Sequence, residues 1–205
     1  VLKEHLKNKD YIIPLAALVG APLCAKYPKE TKEVNLGSIK TILKYIKKNQ
    51  KIIYMNSNSG YGIGEKNKFC DENSPLNPIS LYGKTKIAAE KEILKFKNSL
   101  SFRLATVFGL SYRMRTDLLV NFLVYETVKN KKITLFEPHF RRNFIHIKDV
   151  VDGIIFAINN FHKLKGNIYN LGLSNANITK LQLAKLIKKN YKPLKIKIIT
   201  NRKDP

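Results

Sequence analysis

The chain has 205 residues, 44% of them hydrophobic, with ten Phe and ten Tyr. That is enough to bury the core of one full domain or of one domain and part of another, and it excludes a disordered or low-complexity chain. The net charge of +23 invites a nucleic-acid partner, but only 6 of the 38 basic residues are Arg, and the lysines are spread without a dense block. Readers of phosphates and bases favour the bidentate Arg fork, so the charge is read as solvated lysine faces that could still speed the encounter with an anionic substrate.

Cys24 and Cys70 have no metal-ligand spacing and read as free thiols of a reducing compartment. The longest apolar run, from Tyr11 to Leu23, is interrupted by Pro14 and Pro22 and is too short to span a bilayer. With no signal peptide in view, a soluble cytoplasmic protein is expected, with no metal, membrane or nucleic-acid partner.

Residues 1–9 read as the tail of a helix, with Leu2 and Leu6 at helical spacing. Tyr11–Gly20 reads as a buried strand running into small residues, which either pack tightly or let a ligand approach the backbone. Residues 31–49 place Leu36, Ile39, Ile42, Leu43 and Ile46 on one helical face, with Asn35 on the same largely apolar surface. A strand at 51–55 breaks into Asn56-Ser57-Asn58-Ser59-Gly60-Tyr61-Gly62, and a polar loop with Pro75 and Pro78 covers 63–79. The next helix, 79–98, has Ile87, Ala88, Ile93, Leu94 and Phe96 inside and Glu90, Lys91 and Lys95 outside. Ser101–Gly109 reads as a strand ending in a turn.

Strand, helix, strand, helix, strand with long crossovers predicts α/β architecture with a doubly wound parallel sheet. In such sheets ligands bind at the carboxyl ends of the strands. Small and polar residues gather there: Ala16-Ala17, Ser57-Asn58-Ser59 and Thr106.

Beyond residue 110 the pattern changes to an Arg-rich loop at Ser111–Asp117, a helix at Leu118–Lys129 and a short strand at Ile133–Phe136. Phe140–Asp149 interleaves Arg141, Arg142, His146 and Asp149 with apolar residues. Val150, Val151, Ile154, Ile155 and Ile158 predict an amphipathic helix, and Asn167–Gly172 a strand. Thr179 and Gln182 form a capping box for a helix to about Asn190, and Leu194, Ile196 and Ile198 alternate as a last strand.

Tyr82 and Lys86 are four residues apart, on one face of their helix. A phenol with its ordinary pKa near ~10 is a poor base at neutral pH, and an adjacent ammonium favours its ionised form. Tyr82 could then take a hydroxyl proton while Ser57 holds the substrate oxygen. The pentapeptide by itself also fits a surface Tyr–Lys pair in a Lys-rich chain.

Six ordered segments carry a more specific resemblance. They are Asp10-Tyr11-Ile12-Ile13-Pro14-Leu15-Ala16-Ala17, Asn35 with Gly37, Met55–Gly62, Ser80 with Tyr82–Lys86, Arg103–Gly109 and Arg142–Val150. In this order they resemble the motifs of the extended short-chain dehydrogenase/reductase family, in particular its NAD-dependent nucleotide-sugar epimerase/dehydratase group.

The resemblance implies a Rossmann-like doubly wound sheet, present here as its C-terminal half over residues 1–110. A smaller α/β substrate-binding part at 111–205 would follow, with 133–160 returning to the Rossmann side. It implies a catalytic set of Ser57, Tyr82 and Lys86. Leu15, Ala16, Ala17 and Asn35 would line NAD, with NADP possible, and Lys86 would also bond the nicotinamide ribose. Ser59, Thr106 and Asn121 would face the sugar. Arg142 and Arg202 would take the nucleotide diphosphate, Arg142 having a structural ion pair with Asp149 as its other reading. His146 reads as a core or loop histidine. A homodimer through helices 31–49 and 79–98 is expected.

The departures also carry information. The family's glycine-rich phosphate loop is absent, so the chain is expected to be a fragment that begins just before the fourth strand, is cut at its C-terminal end and is inactive by itself. Pro14, Thr106 and Asn143 replace the usual His, Asn and Asp. The dehydratases carry a Thr-Asp-Glu run where this chain has Ser57-Asn58-Ser59, so a UDP-glucose 4-epimerase-like activity is expected. The other readings are a nucleotide-sugar reductase or dehydratase and a non-catalytic scaffold.

Overall fold

The computed structural model describes residues 2–64 and 69–200. In chain order the elements are α1 (Leu2–Leu6), β1 (Tyr11–Ile12), α2 (Ala21–Lys26), α3 (Pro28–Lys32), a π-helical turn (Glu33–Gly37), α4 (Ser38–Tyr45), β2 (Lys51–Ser57), a 3-10 turn (Asn58–Gly60) and α5 (Leu81–Ile93). They continue as β3 (Ser99–Leu104), β4 (Thr106–Phe108), α6 (Leu119–Asn130), β5 (Lys132–Phe136), β6 (Arg141–His146), α7 (Ile147–Asn159) and α8 (Phe161–Leu164). The last are β7 (Ile168–Leu171), a 3-10 turn (Ser174–Ala176), β8 (Asn177–Thr179), α9 (Lys180–Asn190) and β9 (Lys195–Ile199).

The chain forms two compact units, one of residues 1–104 and 151–171 and the other of residues 105–150 and 172–205. The first is built on a parallel sheet in the order β1-β2-β3-β7, with Met55 opposite Phe102 and Ser57 opposite Leu104. Ile52, Ile53, Tyr54 and Met55 are buried in succession, as in a parallel strand covered on both faces. On one face, Ile52 and Tyr54 pack with Ile39 and Ile42 of α4 and Ala89 and Ile93 of α5. This is the α/β parallel-sheet architecture read from the sequence.

The second unit has a three-stranded sheet, β4-β6-β8, and a parallel pair, β5-β9. β6 runs parallel to β4 and antiparallel to β8. Its core joins Val120 and Leu123 of α6, Ile133 and Leu135 of β5, Leu183 and Ala184 of α9, Phe144 and Leu194. The capping box at Thr179 and Gln182 is present at the start of α9.

Several boundaries differ from those expected. The strand expected over Tyr11–Gly20 pairs only at Tyr11–Ile12, and 13–20 is irregular, consistent with Pro14 lacking the N–H a ladder needs. The helix expected over 31–49 is instead α3, a π turn and α4, and it stops where Ile46 turns extended. The helix expected over 79–98 is α5, closed where the Ser99 hydroxyl donates to the carbonyls of Ile93 and Phe96. In α7 only Val150 of the expected apolar face is fully buried, and Val151 and Ile155 are about half exposed.

Glu90 was expected outside α5 and is 1% exposed. It lies inward because its carboxylate meets Arg103, Asn56 and Ser101 in the sheet. Among the described residues no helix is long and apolar enough to cross a membrane, and no three His, Cys, Asp or Glu side chains could share a metal ion.

Candidate functional site

Ser57 ends β2 and caps the 3-10 turn that follows. Its Oγ accepts the Ser59 N–H at 3.2 Å and shares a hydrogen bond with Ser59 Oγ at 2.9 Å. The hydroxyl therefore faces the carboxyl end of the strand at a turn, where an extended backbone gives way to helical conformation. Ser80 caps α5 in the same manner, accepting the Gly83 N–H at 3.1 Å.

Two glycines bring these segments together. A Cβ on Gly83 would sit 2.9 Å from the Ser59 carbonyl oxygen and 3.1 Å from Pro78 Cβ. A Cβ on Gly60 would collide with the end of the Ile87 side chain. Only a residue without a side chain lets the first turn of α5, which carries Tyr82, lie against the turn that carries Ser57 and Ser59.

Lys86 is one turn further along the helix and 6% exposed. Its ammonium donates to the Met55 carbonyl at 2.7 Å and lies 4.2 Å from the centre of the Tyr54 ring. The other two N–H groups of that ammonium have no acceptor among the described residues. Burial pushes the Lys86 ammonium down to about 8, against the upward pull of the Glu90 carboxylate. Burial, then the neighbouring charges of Tyr82 and Glu90, push the Tyr54 phenol well above its ordinary value. Tyr82 itself is half-buried.

Leu15 and Ala16 are exposed and Ala17 is half-buried, in the irregular stretch that follows β1. Asn35, 2% exposed, lies in the π turn. Its Oδ1 accepts the Leu18 N–H at 2.8 Å, and its Nδ2 donates to the Leu18 carbonyl at 3.0 Å and to Thr85 Oγ1 at 3.3 Å. With its amide engaged in this way, Asn35 ties the Leu15–Leu18 stretch to α5 rather than presenting free donors.

Thr106, Asn121 and Arg142 belong to the second unit. Thr106 is half-buried at the start of β4 and pairs in register with Phe144. Asn121 Oδ1 accepts the Gly109 N–H at 3.2 Å and Nδ2 donates to the Arg115 carbonyl at 3.0 Å, so its amide binds the 109–115 loop. Arg142 is exposed, and no ion pair with Asp149 or another acid holds it among the described residues. The His146 ring lies edge-on to Phe108, with centroids 5.3 Å apart, and its Nδ1 accepts the Lys148 N–H. Arg202 lies outside the described residues. Ser57, Ser59, Tyr82 and Lys86 are thus gathered in the first unit.

Sequence reasoning missed four residues around this group: Tyr54, Asn56, Glu90 and Arg103. Glu90 had a signal, since it is four residues beyond Lys86 and eight beyond Tyr82 on the same helical face.

The chain as a whole is similar to known proteins. The sequence model of the NAD dependent epimerase/dehydratase family matches residues 1–172. An uncharacterized UDP-glucose epimerase, YtcB of Bacillus subtilis (strain 168), is 29% identical over 180 residues, covering 83% of this chain and 55% of its own length. UDP-glucuronate 4-epimerase 4 of Arabidopsis thaliana is 26% identical over 215 residues, covering 93% and 48%. The crystal structure of UDP-glucuronic acid 4-epimerase from Bacillus cereus, in complex with UDP-glucuronic acid and NAD, superposes with a TM-score of 0.85 at 23% identity. That superposition covers 100% of this chain and 66% of the other. The chain spans about half the length of the curated relatives it matches.

Proposed function

The chain belongs to the NAD dependent epimerase/dehydratase family, and from that premise we propose that the whole protein is an NAD-dependent nucleotide-sugar epimerase with Ser57, Tyr82 and Lys86 as its proton-handling set. One observation carries this reading. Lys86 is a buried ammonium bonded to the Met55 carbonyl, with two donors that have no acceptor among the described residues, one helical turn from Tyr82 on a helix locked by Gly83 against the turn that holds Ser57.

The ammonium favours the ionised form of the Tyr82 phenol, which takes the proton of a sugar hydroxyl. The Ser57 hydroxyl holds the same oxygen and returns the proton path to Tyr82. NAD, when bound, supplies the ring that accepts a hydride from the sugar carbon and gives it back on the other face.

The residues fit that cofactor. The spare N–H groups of Lys86 suit ribose hydroxyls, and Ala16 and Ala17 leave room for an approach to the backbone beside the exposed Leu15. Asn35 would hold that stretch in place. NADP is the variant reading of the cofactor. Ser59, Thr106 and Asn121 would be on the sugar side, Asn121 through the loop it binds, and Arg142 and Arg202 would meet the diphosphate. In this reading residues 1–110 are the cofactor-binding part and 111–205 the substrate-binding part, with 133–160 returning to the cofactor-binding side.

Absence of a carboxylate from Ser57-Asn58-Ser59 favours epimerisation over dehydration, which needs an acid and base to eliminate water. The test is to incubate the full-length protein with UDP-glucose and with UDP-glucuronate and resolve the products. The 4-epimer of either is expected. A dehydrated or reduced sugar alone would replace the reading with a dehydratase or a reductase, and no conversion would favour a scaffold.

A homodimer through the 28–45 helical stretch and α5 completes the proposal. Lys40, Lys44, Lys84 and Lys91 are exposed on these helices together with Glu30 and Glu33, so association should depend on salt. Sedimentation as a monomer at micromolar concentration, in both low and high salt, would remove this part.

A further inference from the structure

Glu90 sits on the face of α5 that carries Tyr82 and Lys86, yet it reaches across to the sheet. Its Oε2 accepts hydrogen bonds from Asn56 Nδ2 at 2.7 Å and from Ser101 Oγ at 2.7 Å. Its Oε1 accepts from Arg103 Nη2 at 2.7 Å, and Arg103 Nε adds longer bonds of 3.2 and 3.3 Å to the two oxygens. Both charged side chains are nearly out of contact with solvent, at 1% and 2%. A buried ion pair of this kind gives little net stability, because desolvation offsets the attraction. Its geometric consequence is large, since a carboxylate with four donors fixes the height and rotation of the helix that bears it.

The link from Glu90 to Ser57 is a single side chain. Asn56 donates to Glu90 with its Nδ2 and with its Oδ1 accepts the Ser57 N–H at 2.8 Å. Turning the amide over would place like groups against both partners, so the carboxylate decides which way Asn56 points. Arg103 extends the hold to the loop beyond Ser57. Its Nη1 donates to the Tyr61 hydroxyl at 3.0 Å and to the Glu72 carbonyl at 3.1 Å. The Tyr61 hydroxyl donates in turn to Asn170 Oδ1 at 2.6 Å, and the Asn170 N–H donates to Glu72 Oε1 at 2.6 Å.

We infer that Glu90 is a positioning residue which, through Asn56 and with Arg103 as its counter-ion, sets the Ser57 hydroxyl relative to Tyr82 and Lys86. The inference rests on the proposed role of Ser57. Glu90 touches no reacting atom. It ties the helix of the phenol and ammonium to the strand end of the serine.

Two readouts on the full-length protein test it, with the variants Glu90→Gln and Asn56→Ala. Asn56→Ala leaves the ion pair in place and serves where Glu90→Gln fails to fold. In amide hydrogen exchange, Ser57 and Ser59 should lose protection roughly tenfold while Ile52–Tyr54 of the same strand keep theirs. Unchanged exchange at Ser57, or an equal loss along all of β2, overturns the proposal.

In turnover of UDP-glucose or UDP-glucuronate, whichever is converted, kcat should fall on the order of 100-fold with KM held within about threefold, as for a misplaced catalytic group. In a Ser57→Ala background, adding Asn56→Ala should cost less than about threefold, because the two act on one hydroxyl. Full multiplication of the two effects overturns the proposal. If Ser57→Ala alone turns over at the wild-type rate, the reading of the site has failed, and the exchange experiment still decides whether Glu90 and Asn56 hold the strand end.

Discussion

Arg103 in the first unit and Arg115 and Arg142 in the second show what burial does to a charge. Arg103 is 3% exposed and donates to a carboxylate, a phenol and a backbone carbonyl at once. Arg115 pairs with Asp117, two residues away, at 2.6 Å with 38% and 63% of the side chains exposed. Arg142 stands at the surface of β6 with no ion pair among the described residues. The buried arginine is committed to holding a strand, a helix and a loop together. The surface arginines keep their donors near water, where a phosphate could take them at small desolvation cost.

If this comparison is right, the largest effect falls on Arg103. Arg103→Ala leaves Glu90 buried and without its counter-ion and should cost about 3–5 kcal/mol of unfolding free energy. Chemical denaturation of the full-length protein measures this, and a loss under about 1 kcal/mol would mean that water reaches the pair.

Next comes Lys86→Met, which removes the ammonium but keeps a side chain of similar length. A fall in kcat on the order of 100-fold is expected, the usual scale of one acid–base group. The same lysine predicts a pH effect. The Tyr54 ring and the Glu90 carboxylate neighbour its ammonium, and burial holds it at about 8 while Glu90 pulls it upward. Above that pH Lys86 sheds its proton and ceases to favour the Tyr82 phenolate, so kcat/KM should decline. Glu90→Gln removes the upward pull and should move the decline to lower pH. A profile that stays flat through pH 9 would contradict this.

Arg142→Ala should act in the opposite way, raising KM for the nucleotide sugar roughly 10- to 100-fold with kcat nearly kept, as expected for one charge-assisted contact of about 1.5–3 kcal/mol. A fall in kcat alone would place Arg142 among the positioning groups instead. The smallest effect is expected for Arg115→Ala, within about 1 kcal/mol of wild-type stability, because its pair is at the surface.

The parts legible in the sequence were those with local signals. The apolar run before Ser57 marked β2, and Thr179 with Gln182 marked α9. Spacing alone put Tyr82 and Lys86 on one face. Glu90 was misread because periodicity assigns a charge to the solvent side, and the partner that draws it inward, Arg103, is on the neighbouring strand β3. The π turn at Asn35 left no trace in an apolar periodicity that a continuous α-helix would also satisfy. Small residues after Ile12 looked like more strand, although they have no ladder partner. In the second unit the motifs pointed to Asn121 and Arg142 by residue type. Only the structure shows that one amide binds a loop backbone while the guanidinium stays exposed.

The most direct test of the account is Tyr82→Phe in the full-length protein, assayed for 4-epimerisation of the nucleotide sugar it converts and checked for an unchanged melting temperature. Loss of the phenol that takes the proton should lower kcat at least about 100-fold. A folded variant that epimerises at close to the wild-type rate would contradict the assignment of the chemistry to Ser57, Tyr82 and Lys86.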